Sequence, residues 1–318
     1  MSSRKHKPYN VSLILIAYNQ EQFVRQACES VLHQHGGSIE IILSDDCSID
    51  GTYKVMQDVV SSYRGHHRVI LRRNEHNLGL VGHINKVIGL CSGEFIVYAA
   101  GDDISAPERV VRTMDLFANG DGKVLIVHSS VIEINSYGKE MGYVDPPIVK
   151  KNLAGNALLS KYSIIIGATC AWHRSLWDTF GFLRYPALYE DLVMASRAQM
   201  MGGASAFAFS AEPLVLYRIG SGISQGGRNK PTNPIERQAF ELKRLRTHDD
   251  VCSQRLDDAK KLGLVKEIEV VQKSQLKNKT LRQVYEKKES WFTIVQFSIR
   301  NGTLITLLQA TIKRFRLF

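Results

Sequence analysis

The stretch FIVYAAGDDISAPER, residues 95–109, runs six mostly apolar residues, Phe95 to Ala100, into Gly101 and then sets two carboxylates side by side, Asp102 and Asp103. A short apolar run closed by glycine reads as a buried strand. Two like charges at the end of a core strand repel each other, and desolvating them is costly unless positive charge compensates. Either a bound cation or the donors of a ligand meet them there, or the pair is a solvated turn ahead of a helix that opens near Pro107.

Upstream of this stretch the chain alternates. VSLILIA (11–17), IEIILS (39–44), RVILR (68–72) and EFIVYAA (94–100) read as strands, while residues 20–34, 51–63 and 80–91 carry apolar residues at helical spacing. This rhythm predicts a mostly parallel α/β sheet flanked by helices. Ligands in such sheets sit at the carboxyl ends of the strands, where strand order reverses. Tyr18–Asn19, Asp45–Asp46 and Asp102–Asp103 each follow a strand, so three polar clusters are expected on one sheet edge. After residue 123 the pattern is mixed, with KVLIVHSSVIEI strand-like and the segment 163–181 leading into a helix. Residues 234–288 have helical composition, rich in Lys, Arg, Glu, Gln and Leu.

The 318 residues suffice for one large or two modest cores, and 44% hydrophobic with 23% charged residues is ordinary globular composition. The formal charge of +10 is uneven: residues 228–318 hold 20 Lys+Arg against 10 Asp+Glu, and the preceding residues balance. The expected division is a domain over 1–225 and a basic helical C-terminal extension over 226–318, which would meet any acidic surface. The five cysteines are scattered without a CxxC pair, so neither a zinc site nor a disulfide framework is suggested, and free thiols fit the cytoplasm. No run of roughly 18 apolar residues appears, and the polar N-terminus reads as neither a leader nor an anchor. In the tail, Trp291, Val295, Ile305, Leu308, Ile312 and Phe315 recur at helical steps with a break near Gly302, flanked by Arg300, Lys313, Arg314 and Arg316. Such a stripe suits peripheral contact with an anionic membrane, on the inner face of the cell membrane, or a homo-oligomer interface.

Four segments together, VSLILIAYNQEQFVRQACESVLHQ, IEIILSDDCSIDGT, NEHNLGLVGHINKVIGLCSGEFIVYAAGDD and YEDLVMASRAQMMGG, resemble a family 2 inverting glycosyltransferase with the GT-A fold, over about residues 10–225. The resemblance implies transfer of a hexose from a nucleotide-diphosphate sugar, UDP before other nucleotides, to a hydroxyl of a glycan or lipid-linked acceptor. It implies a Mn²⁺ or Mg²⁺ cofactor held by Asp103, with Asp102 on the ribose side; hard cations take carboxylate oxygens and stabilise a leaving diphosphate. Asp46 would accept the hydrogen bond of the base imide, with Asp45 beside it, unless Asp45 and Ser48 only cap the following helix. Ala17, Tyr18 and Asn19 would line the nucleotide pocket, approached by Asn77 and Gly79; Asn85 reads as structural. Asp191 would be the general base and Glu190 its helper, although an acidic pair at a helix start also serves as a simple cap. Arg197 would either orient these carboxylates or pair structurally. One departure stands out: Tyr217 and Arg218 are present, but Gly220 occupies the place of an expected His, so Arg218 or the Gly/Ser-rich loop after it would supply the positive field.

Rival readings fit less. A dinucleotide oxidoreductase needs a glycine-rich turn after its first strand, and a sugar nucleotidyltransferase a glycine-rich basic loop; AYNQEQF is neither. A non-catalytic, membrane-associated nucleotide-sugar-binding protein would explain the basic tail without using Asp191. No nucleic-acid partner is expected, because acidic strand ends repel phosphate unless a cation is bound.

Overall fold

The structure, a computed structural model, describes residues 10–151, 154–161, 164–186, 189–220, 233–286 and 291–315. In chain order the elements are β1 (Val11–Ala17), α1 (Val24–Leu32), β2 (Glu40–Asp45), α2 (Thr52–Ser62), β3 (Arg68–Arg73), α3 (Gly79–Ile88), β4 (Phe95–Ala100), β5 (Ile104–Ser105), α4 (Arg109–Ala118), β6 (Ile126–Ile134) and β7 (Glu140–Val144). Then follow α5 (Pro147–Lys150), β8 (Ala171–His173), α6 (Ser175–Phe180), α7 (Glu190–Gly202), β9 (Phe207–Arg218), α8 (Pro234–Lys261), α9 (Val265–Glu286), α10 (Trp291–Arg300) and α11 (Leu304–Phe315). The alternation expected for the first hundred residues is present, with α1 starting late because residues 18–23 form a turn.

Among the described residues these strands form one nine-stranded sheet in the order β3-β2-β1-β4-β8-β6-β9-β5, with β7 pairing β6. β3, β2, β1 and β4 are mutually parallel, and β8 enters antiparallel between β4 and β6. The order reverses at β1: β2 lies on one side and β4 on the other, which opens a crevice at their carboxyl ends. Register places Ala17 beside Asp45, and Ile16 beside Ala100. Tyr18, Asp46 and Gly101–Asp103 therefore share that edge.

Strand side chains alternate between two cores. Ile14, Ile16, Ile96 and Tyr98 join Ile84, Trp172 and Val193 on one face; Leu13, Leu15, Val97 and Ala99 join Val24, Val31 and Met56 on the other. Gly101 is dictated by the crossing at the switch point: a Cβ there would lie 2.7 Å from the Ala17 Cβ and 2.5 Å from Gln20 Oε1.

The C-terminal arm is an antiparallel helix pair, α8 and α9, with a short hairpin, α10–α11, laid against α9. Gly263 (φ +67°) ends α8 in a reversed double bond, its N–H to the Lys260 carbonyl at 3.1 Å and the Leu264 N–H to the Ala259 carbonyl at 3.0 Å. Gly302 (φ +63°) does the same after α10. The expected tail stripe is thus divided between two helices. Ile294 and Leu307 are buried against Val284, while Ile299, Leu304, Ile305 and Leu308 are exposed. Of the expected stripe, the side chains of Trp291, Ile312 and Phe315 lie outside the described set, as do those of Lys313 and Arg314; Arg316 lies outside the described residues altogether.

Candidate active site

At the carboxyl end of β2 the two consecutive aspartates part ways, as neighbours on a strand must. Asp45 turns inward: the Ser48 N–H (3.0 Å) and hydroxyl donate to its carboxylate, and Arg73 Nε lies 3.2 Å from it. It closes the loop in which Cys47 takes φ +60°. The cap expected from Asp45 and Ser48 is not at the start of α2; Asp50 does that work, accepting from the Thr52 N–H at 3.0 Å and its hydroxyl at 2.6 Å. Asp46 turns the other way. Its Oδ1 accepts from Asn74 Nδ2 (2.6 Å) and the Leu78 N–H (2.9 Å), and its own N–H donates to the Ala17 carbonyl (2.9 Å). Behind it Arg72 bridges Asn74 and Ser44, and Ser44 meets the buried His83 ring at 2.6 Å. Burial pushes His83 down to about 4, so the ring is neutral at physiological pH.

The neighbouring loop residues interlock. The Asn19 N–H donates to Ser48 Oγ (2.9 Å), and its side-chain oxygen accepts from the Ile49 N–H (3.0 Å). Tyr18 is exposed at the rim and Ala17 buried beneath it. Asn77 Oδ1 accepts from the Gly79 N–H (2.8 Å), and Gly79 opens α3 at φ +69°. Asn85 clamps Leu183 from both sides, at 2.7 and 3.0 Å.

Asp102 and Asp103 are both buried, with 5% and 6% exposure. Burial and the charge of Asp102 push the Asp103 carboxyl well above the usual carboxylate range. Arg218, at the end of β9, organises the loop: its N–H donates to Asp103 Oδ1 (2.8 Å) and Nε to the Asp102 carbonyl (2.9 Å). The guanidinium goes on to the carbonyls of Asn135 and Ser136, to Gln26 Oε1 (2.9 Å), and over the Phe23 ring. Its side chain is therefore committed to protein oxygens. Gly220 takes φ +100°, and the loop beyond it lies outside the described residues. Arg109, fully buried, ties the Tyr98 and Ala168 carbonyls together from behind, at 2.6 and 2.8 Å.

Glu190 and Asp191 open α7. The Leu192 N–H donates to Asp191 Oδ1 (2.7 Å), and Gly167 packs so close that a Cβ there would meet Glu190 Oε1 at 2.9 Å. Burial first, then each other's charge for Glu190, raise both carboxyls: Glu190 to about 8, Asp191 to about 6. Both therefore hold a proton more tightly than ordinary carboxyls do, and they titrate as a pair. Tyr98 on β4 is the common neighbour of both acidic pairs; its phenol is pushed up by burial and by Glu190, Asp102, Asp103 and Asp191. Arg197 does not reach these carboxylates. It pairs with Asp258 of α8 (Nε to Oδ2 2.8 Å), donates to the Gly181 carbonyl (2.9 Å) and lies over Phe180.

The donor set at Asp102–Asp103 suits a hard divalent cation: desolvated carboxylates that repel each other gain most from one. Among the described residues no three His, Cys, Asp or Glu side chains gather into a complete cage. Sequence reasoning missed Arg72, His83, Arg109 and Arg255, the buried polar groups that stand behind these loops; a lone Arg or His in a mixed segment carries no local mark of burial.

The Glycosyl transferase family 2 profile matches residues 12–180, more than half of the chain. The chain belongs to this family. It is 28% identical over 138 residues to a protein named as a glycosyltransferase, EpsE, of Bacillus subtilis, covering 43% of this chain and 49% of that one. It is also 28% identical over 111 residues to an uncharacterised glycosyltransferase of Haemophilus influenzae, covering 35% and 33%. The chain spans half or less of the length of these two relatives. In fold, it superposes on S. aureus TarS in complex with UDP-GlcNAc (TM-score 0.57, 13% identity, 96% and 92% of the two chains). It also superposes on the mannosyltransferase PcManGT of Pyrobaculum calidifontis in complex with GDP-Man and Mn2+ (0.56, 15%, 98% and 88%). The architecture is thus the GT-A type, carried on a mostly parallel sheet, and the family transfers sugar from a nucleotide-sugar donor.

Proposed function

We propose that this glycosyltransferase is an inverting hexosyltransferase that uses a UDP-sugar and places the sugar on a hydroxyl of a glycan or lipid-linked acceptor. The observation that carries the reading is the convergence of two acidic pairs around Tyr98, three of their carboxylates buried and Asp191 half-buried, with both carboxyls of the second pair raised. The Asp46 carboxylate, oriented through Oδ1 by Asn74 and Leu78, accepts the imide N–H of uracil. Ala17, Tyr18, Asn19, Asn77 and Gly79 border the nucleotide, and Asp102 faces its ribose. Asp103 would hold Mn²⁺ or Mg²⁺, which when bound would stabilise the charge of the departing diphosphate. Arg218 fixes the loop that carries both aspartates.

Asp191 takes the proton of the acceptor hydroxyl as that oxygen bonds to the anomeric carbon. The bond from that carbon to the diphosphate oxygen breaks on the opposite face, and the nucleoside diphosphate leaves with its electron pair. Glu190, its carboxyl raised by burial and by the charge of Asp191, assists by donating to the acceptor when protonated. The exposed Ile299, Leu304, Ile305 and Leu308 beside Arg300 fit peripheral contact with an anionic membrane on its cytoplasmic face, close to lipid-linked acceptors.

The test is a donor panel of UDP-glucose, UDP-galactose, UDP-N-acetylglucosamine and GDP-mannose with Mn²⁺, read by the released phosphate species. Free UDP supports the proposal. Sugar 1-phosphate would mark a nucleotidyltransferase, GDP from GDP-mannose alone would overturn the uracil assignment, and binding without release would mark a non-catalytic sugar-nucleotide binder.

A further inference from the structure

We propose that Arg255, carried by α8 in the C-terminal arm, is a positioning residue for Asp191, holding the first turn of α7 from behind and supplying a buried positive charge to the base. The proposal rests on the reading of Asp191 as that base. Arg255 is 0% exposed. Its Nε donates to Ser196 Oγ at 2.7 Å, and Ser196 Oγ donates to the Leu192 carbonyl at 2.7 Å. Its Nη2 reaches the same Leu192 carbonyl at 3.3 Å and the Lys161 carbonyl at 3.4 Å, and Nη1 the carbonyls of Leu159 at 2.8 Å and Lys161 at 3.3 Å. Leu192 is the residue whose N–H holds Asp191 Oδ1. One guanidinium therefore ties α8, the segment before residue 162 and the base-bearing turn of α7 into a single unit.

Every one of these acceptors is a neutral oxygen. Arg197, one turn further along α7, is instead neutralised directly by Asp258. A buried guanidinium without a carboxylate in contact is costly, so its charge must be balanced at longer range. The titratable groups that face Asp191 are Glu190 and Tyr189 on its own segment, Tyr98 from β4, Cys170 ahead of β8 and Arg255 from α8, and Gly167 packs beside it. Arg255 is the cation of that set. Arg244 of α8 acts on Tyr189 and is tied to Glu241 at 2.8 Å. Burial raises the Asp191 carboxyl, and Arg255 opposes the rise.

The test uses the full chain and the sugar nucleotide of the panel above that turns over fastest. Arg255→Met, Arg255→Lys, Ser196→Ala and Asp191→Asn are compared by thermal melting, kcat, donor KM and the pH profile of kcat. Arg255→Met is expected to lose on the order of 10²-fold in kcat with donor KM unchanged, and to move the acid limb of the profile to higher pH. Arg255→Lys keeps the charge and is expected to restore the limb and part of the rate. A folded Arg255→Met with wild-type kcat and an unmoved limb overturns the proposal. So does a rate loss that Lys leaves uncorrected and that comes without a shift of the limb. If Arg255→Met does not fold, Ser196→Ala and Arg255→Lys decide: lowered kcat at constant donor KM supports the role, and unchanged kcat in both overturns it. Should Asp191→Asn retain transfer, the base assignment falls and this proposal with it. Should Asp191→Asn lose transfer while Arg255→Met behaves as wild type, Arg255 alone is wrongly assigned.

Discussion

A base that works near neutrality must hold its proton more tightly than an ordinary aspartate, and loss of solvent raises the carboxyl of Asp191, the proposed base, in that direction. A base acts only when deprotonated. With its carboxyl raised to about 6, kcat is expected to fall as pH drops through about 6, where an unperturbed aspartate would sustain it to about 4. A kcat–pH profile checks this. Asp191→Asn keeps the shape of the side chain and removes the proton acceptor; transfer is expected to fall by on the order of 10²–10⁴-fold with donor affinity retained, measured by kcat beside UDP binding. Asp103→Ala removes the hard oxygen held by the Arg218 N–H. Metal-dependent turnover is expected to vanish while the melting curve stays cooperative, and full activity in chelator would refute the assignment. Both acidic pairs were legible in the sequence because each is a local motif. Separate roles for Asp45 and Asp46 came with the resemblance, but their actual partners, Ser48 and Arg73 for one and Asn74 and Leu78 for the other, depend on which face of β2 each one leaves.

Helices in this fold are joined by charges whose worth depends on burial. Arg197 on α7 and Asp258 on α8 are 0% and 1% exposed, whereas Lys54 and Asp58 on α2 are 73% and 48% exposed. Removing one partner of the buried pair strands a charge that water no longer reaches. Asp258→Ala is expected to cost about 3–5 kcal/mol, and Asp58→Ala about 0.5 kcal/mol or less, both read from urea unfolding midpoints. At this scale the strands and first helices were readable from period-two and period-3.6 spacing. The division of residues 234–288 into α8 and α9 was carried by one residue, Gly263, which a compositional reading passes over, although it is the residue type that a left-handed helix end demands.

Across the whole molecule the arm and the sheet domain share polar contacts, buried at Arg255 and Arg197 and half-buried elsewhere. Besides Arg255 and the Arg197 pair, the Arg184 N–H donates to Gln254 (2.9 Å), the Tyr185 hydroxyl to Asp257 (2.8 Å), and Asn156 to Glu267 (3.0 Å). A chain ending at residue 225 would leave these partners without their bonds. It is expected to lose cooperative unfolding, as read by circular dichroism on heating. A chain ending at residue 288 keeps α8 and α9 and is expected to retain the fold and sugar transfer while losing sedimentation with anionic vesicles. Sedimentation unchanged by this truncation, with loss of a multimer peak in solution, would assign the α10–α11 face to a second copy instead. The charge step near residue 228 was visible in composition; how firmly the basic helices are bolted to the sheet was not.

Sequence alone determined the alternating strands and helices, the acidic pairs at strand ends and the family resemblance, because each depends on residues close together in the chain. Tertiary structure alone decided what the buried arginines hold. Arg218 meets the Asp102 carbonyl across 116 residues, Arg255 meets Ser196 across 59, and Arg197 meets Asp258 across 61. A guanidinium offers the same five donors wherever it stands in a sequence. Which oxygens receive them is settled only when packing removes water and leaves those oxygens as the partners within reach.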